Sequence, residues 1–121
     1  MKRLIFVAVV LALFVGFAGC DKDEGITRAN LIGDWIVVKF NGDAYNVQHT
    51  FTFKENGGFE ELVIIHGVTK SYSGTYQLDE EEGLLFVTKD NHTQMKEIVT
   101  LTSSKFTFKD YAGDTFDLER P

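Results

Sequence analysis

Tyr45-Asn46-Val47-Gln48-His49-Thr50-Phe51-Thr52-Phe53-Lys54 is the stretch that decides the fold class. Tyr45, Val47, His49, Phe51 and Phe53 fall on one side; Asn46, Gln48, Thr50, Thr52 and Lys54 fall on the other. Successive side chains of a strand point to opposite faces, so period two sustained this long predicts a half-buried β-strand and excludes a helix. Asn41-Gly42 precedes it, and both residues accept the positive φ of a tight hairpin turn.

Working outward, the same grammar repeats. Ile36-Val37-Val38-Lys39-Phe40 reads as the first strand, with Leu31-Ile32-Gly33-Asp34-Trp35 leading into it. Asn56-Gly57-Gly58 turns the chain into a third strand, 59–65, which is apolar on both sides around Leu62-Val63-Ile64-Ile65 and carries Glu60 and Glu61 near its start. After His66-Gly67 the fourth strand alternates again, with Tyr72, Gly74, Tyr76 and Leu78 against Ser71, Ser73, Thr75 and Gln77. Asp79-Glu80-Glu81-Glu82-Gly83 is a loop. Strands at 84–89, 94–101, 105–109 and 115–119 complete the series, separated by turns at 90–92, 102–104 and 110–114. Short strands at about ten-residue spacing, with no sustained helical period, predict an eight-stranded antiparallel up-and-down β-barrel. Closure follows from chemistry, since an open sheet of this size leaves two edges of unpaired N–H and C=O groups.

The amino terminus reads as an address. Lys2 and Arg3 precede an uncharged apolar run from Leu4 to Gly19, too short for the roughly 20 residues of a membrane-spanning helix and suited to a signal peptide. Phe17-Ala18-Gly19-Cys20 resembles the bacterial lipobox, with Phe17 where Leu is usual. Cys20 is the single cysteine, so no disulfide framework exists, and the resemblance implies that it carries an acyl anchor after cleavage. Asp21-Lys22-Asp23-Glu24 resembles the export signal of surface lipoproteins in bacteroidetes, which implies the outer membrane and the cell surface. An Asp just after the cysteine also resembles a retention signal of other bacteria, and the periplasmic face stays open. The expected organisation is a signal peptide over 1–19, a lipidated tether over 20–29 and a barrel over 30–121.

Cleavage leaves 102 residues, one domain's worth, with 10 basic and 18 acidic side chains. A net charge of −8 excludes nucleic acid as a partner, whose phosphates need a basic footprint. His49, His66 and His92 lack ligand spacing, and 79–82 lacks the spaced ligands of a calcium loop, so no metal and no cofactor are expected. There is no nucleophile elbow, phosphate loop or zinc motif, and no catalysis is expected.

The Gly33-x-Trp35 head of the first strand, Thr50–Phe59 and Tyr72-Ser73-Gly74-Thr75-Tyr76-Gln77-Leu78 resemble the small bacterial lipocalin-like domains, over roughly 30–119. That resemblance implies that Trp35 plugs one barrel end with Arg120 packed across it, a structural pair; the alternative is a solvated Arg120 beside the C-terminus. The chain is short for a lipocalin and lacks the helix that follows the barrel in that family, which implies a small cavity. Tyr45, His49, Phe51, Tyr72, Tyr76, Phe106 and Phe108, with Phe53, form the inward set and the candidate ligand-binding residues. So many rings predict a mostly filled core with a shallow mouth rimmed by Tyr45 and Tyr72, and Gly74 making room for a ring. Two readings stand. One is a lipid-anchored module for a small apolar ligand; the other is a surface protein with a solid barrel that contacts an envelope protein or host component through exposed Leu62 and Ile64.

Overall fold

The computed structural model describes residues 25–121, so the expected signal peptide and Cys20 lie outside the described residues. The chain forms a four-residue helix α1 (Arg28–Leu31) and then β1 (Gly33–Phe40), β2 (Asp43–Ala44), β3 (Gln48–Phe53), β4 (Gly58–Ile65), β5 (Val68–Asp79), β6 (Leu84–Lys89), β7 (His92–Leu101), β8 (Lys105–Lys109) and β9 (Thr115–Glu119). β1 pairs antiparallel with both β2 and β3, each strand from β3 to β8 pairs antiparallel with the next, and β1 also pairs with β9 through Ile36↔Glu119 and Val37↔Leu118. Omitting the two-residue β2, the wall is a closed eight-stranded barrel. Its closure leaves no long edge for another chain to pair with.

The turns act as their composition dictates. Asn41 and Gly42 (φ 51° and 86°), His66 and Gly67 (52° and 79°), and Asp90 and Asn91 (51° and 65°) all adopt the left-handed conformation of a tight two-residue hairpin. The Asn41-Gly42 hairpin differs from expectation in one respect. It joins β1 to the short β2, and the chain enters β3 only at Gln48.

Gly74 has a different use from the one expected. A Cβ there would stand 1.8 Å from the backbone oxygen of Thr88. Its missing side chain therefore admits the β6 backbone, not an aromatic ring, and lets the twelve-residue β5 bend into the closed wall.

Residues 25–29, expected as part of a tether, are docked. The Gly25 amide donates to the Leu101 carbonyl at 3.0 Å, and Ile26 packs against the core. The Thr27 hydroxyl caps α1 by accepting from the Asn30 amide at 3.2 Å. Leu31 is fully buried and plugs the end of the barrel where β1 begins.

Candidate functional site

The barrel has two unlike halves. In the half under α1, Trp35, Phe53, Phe59, Tyr76, Leu85, Phe106 and Leu118 are all buried and fill the interior. Phe53 meets Tyr76, Phe59 and Phe106 with ring centroids 5.2–6.2 Å apart, and Trp35 meets Phe106 edge-on at 5.5 Å. The Trp35 indole N–H donates to the Leu31 carbonyl at 2.8 Å, and the Tyr76 hydroxyl donates to the Lys54 carbonyl at 2.6 Å. No polar atom of these two rings is stranded.

The other half opens at the β4–β5, β6–β7 and β8–β9 turns, and it is polar inside. Phe51 and Phe108, 5.9 Å apart, form its floor, and Phe116 stacks on Phe108 at 5.0 Å. Above the floor sits Glu61. Its side chain is only 11% exposed, on the same face of β4 as buried Phe59. One carboxylate oxygen accepts from His49 Nε2 at 2.7 Å, the other from Lys89 Nζ at 2.6 Å. The Tyr45 hydroxyl reaches the second ring nitrogen of His49 at 3.3 Å. Lys89 also lies over the Tyr72 ring, 4.8 Å from its centroid, and Lys96 lies over Phe108 at the same distance.

The electrostatics follow from this crowding. Burial pushes the Glu61 carboxyl up, but hydrogen bonds from His49 and Lys89 and the charges behind them outweigh it and hold the group below its ordinary value. Burial, with the Glu61 charge, raises the Tyr45 phenol, which keeps it protonated and a poor nucleophile at neutral pH. Glu61, His49 and Tyr45 thus form a chain of hydrogen-bonding side chains across the mouth. Among the described residues no three His, Cys, Asp or Glu side chains gather as a metal site would require.

A closed antiparallel barrel, plugged at one end by a tryptophan under a short helix and open at the other, is a fold with known relatives. Residues 31–108 match the family described as the lipocalin-like domain. The chain belongs to that family. Two solved structures share the fold of this lipocalin-like domain, both from Bacteroides uniformis. One is the crystal structure of a lipocalin-like protein, with TM-score 0.64 and 14% identity, covering 76% of this chain and 99% of that one. The other, solved by NMR, has TM-score 0.64 and 22% identity, covering 84% and 97%. No curated protein sequence matches.

As the resemblance implies, the lipocalin-like domain stacks Arg120 on Trp35, with the guanidinium carbon 3.7 Å from the ring centroid. Arg120 also donates to the carbonyls of Asn30, Asp34 and Ser103 at 2.8, 3.2 and 3.1 Å, so one side chain ties α1, β1 and the β7–β8 turn together. Arg120→Ala is expected to cost about 2 kcal/mol in urea melts. Arg120→Lys should recover little of it, because an ammonium cannot present the planar fork that reaches three carbonyls. Full recovery by lysine would show that charge alone matters there.

Of the expected ligand-binding residues, the fold brings Tyr45, His49, Phe51, Tyr72 and Phe108 together at the mouth and its floor. It places Tyr76 and Phe106 in the filled half beneath α1. Leu62 is exposed on the outside as expected, but Ile64 is half-buried, so that outer patch is smaller than its sequence suggests. Glu61, Lys89 and Lys96 escaped sequence reading. The signal existed in parity: Glu61 is two residues from Phe59, Lys89 two from Val87 and Lys96 two from Ile98, all of them inward.

Proposed function

We propose that the chain is a lipid-anchored, non-catalytic binding module of the bacterial envelope that takes a small ligand with an apolar body at the open mouth of its barrel. The observation that carries this is the contrast between the halves: one is packed solid, while the other holds ordered polar groups among aromatic walls. Inward charges cost stability, and a merely structural barrel has no use for them. The inner faces of β4 and β5 extend the mouth as an apolar wall, where Val63, Ile65, His66, Val68 and Lys70 line a cavity of about 300 Å³. That is the lower end of the size of small-molecule sites.

The anchor on Cys20 rests on the lipobox resemblance, and the outer-membrane, cell-surface placement on the resemblance of Asp21-Lys22-Asp23-Glu24 to a surface-export signal. Gly25 sits at the plugged end, bonded to Leu101. The five residues from Cys20 to Gly25 reach at most roughly 18 Å, which would hold the plugged end toward the lipid and leave the mouth facing the medium. The ligand would then arrive from outside, not from the bilayer. Cys20→Ser should release the protein from the membrane fraction; continued detergent dependence refutes the anchor.

Native mass spectrometry of the acyl-free domain purified from cell extract tests the ligand. A retained small molecule supports the module. An empty protein with a stable protein partner supports the alternative, an interaction protein that contacts an envelope or host component through exposed Leu62, Met95 and Val99.

A further inference from the structure

Lys96 is the group in the mouth whose position the fold alone does not explain. It points inward from β7 opposite Leu85 and stands over the Phe108 ring, half-buried. Among the described residues no carboxylate lies within ion-pair distance of it. Three charged groups face it: Glu61 and Asp110 attract, and Lys89 repels. Glu61 gives its two oxygens to His49 and Lys89, and Asp110 turns one oxygen, Oδ1, to the amides of Ala112 and Asp114 in its own turn. Burial outweighs the attraction of both and holds the Lys96 ammonium below its ordinary pKa. An ammonium partly stripped of water, over an aromatic floor and without a counter-ion of its own, gains most from an anion brought in from outside.

The surroundings restrict what that anion can be attached to. On β4, Glu61, Val63 and Ile65 share one face and rise toward the rim; on β5, Tyr72, Lys70 and Val68 stand opposite them. This wall spans roughly 13 Å from Glu61 to Ile65. We propose that the mouth binds an apolar organic monoanion, its head seated on Lys96 and its body lying along Val63, Ile65 and Val68. The inference rests on the reading of the mouth as a ligand site and adds the charge and orientation of the ligand.

The test compares three molecules with the same tail and different heads: decanoate, decanol and decyltrimethylammonium, each below its micelle-forming concentration. They are titrated into isotopically labelled acyl-free chain from residue 20 onward, and affinity is read from amide shifts. Decanoate is expected to bind at least tenfold more tightly than decanol and to shift the Lys96 and Phe108 amides, with decyltrimethylammonium weakest. Lys96→Met should erase the preference for the acid, Lys96→Arg should keep it, and Lys105→Met, at an exposed lysine at the plugged end of the barrel, should leave it intact. The spectra themselves report whether each variant remains folded. If decanol binds as tightly as decanoate, or if the preference survives Lys96→Met or disappears in Lys105→Met, the head does not sit on Lys96 and this inference fails while the binding reading stands. If none of the three binds, both fail.

Discussion

Replacing Phe51 with alanine is expected to lower stability by about 3–5 kcal/mol. The ring is 4% exposed and touches Phe53, Phe59, Phe108 and His49, with centroids 4.7–6.4 Å apart. It therefore lies at the junction between the packed half and the polar mouth, bearing on both. Truncation removes the transfer energy of a large aromatic and leaves a cavity that its neighbours, fixed on other strands, cannot close. Urea melts should show a lower midpoint with an unchanged slope, since the surface exposed on unfolding hardly differs. A cost under about 1 kcal/mol would mean that Phe51 faces outward and that the inward face of β3 has been misassigned. Loss of the floor should also loosen His49, so ligand affinity at the mouth is expected to fall along with stability.

How much of this could be read from sequence depends on how many faces of each strand are buried. On β3 one face is apolar and the other is Thr and Gln, so inward residues declare themselves. On β4 the run Leu62-Val63-Ile64-Ile65 is apolar on both faces and erases parity, and Glu61 passes for a residue near a turn. The parity with Phe59 is then easily overlooked, and the pairings Phe53↔Phe59 and Phe51↔Glu61 are what place its carboxylate inside. Lys89 ends β6, a position where charge usually marks a solvated edge, and Lys96 follows the polar start of β7, His92-Thr93-Gln94, which hides its inward parity. Here β6 and β7 keep their inward parity into the mouth. The α1 helix has four residues, too few for any helical period to register. Gly74 could be recognised as special, but its reason, a neighbouring backbone at contact, belongs to the closed wall and not to the local sequence.

The mouth's charges are affordable because the other half is solid. Trp35, Phe53, Phe59 and Phe106 are each 2% exposed or less, and Arg120 fastens the plug above them. A barrel stabilised from one end can hold a Glu, a His and two Lys at the other without collapsing around them. Stability and recognition are thus carried by opposite ends of the same strands.

Glu61→Ala should expose how finely that balance is set. The substitution leaves Lys89 and His49 facing an apolar floor with no carboxylate between them, and breaking such a pair from one side costs about 3–5 kcal/mol when fully buried. A value near 3 is expected here, because Lys89 is 21% exposed and can swing its ammonium toward water. The sign with pH is definite. The folded Glu61 pKa lies below the ordinary 4.5, so its contribution is fully present above that value and is lost as pH falls through the folded pKa. The stability difference between the natural chain and Glu61→Gln, which keeps the shape but cannot ionise, should therefore shrink as pH drops below about 4.5. Denaturant melts of both proteins at several pH values between 7 and 3 measure it. Parallel curves over that range would mean that Glu61 is not held ionised by His49 and Lys89, and that the polar mouth is not the charged box described above.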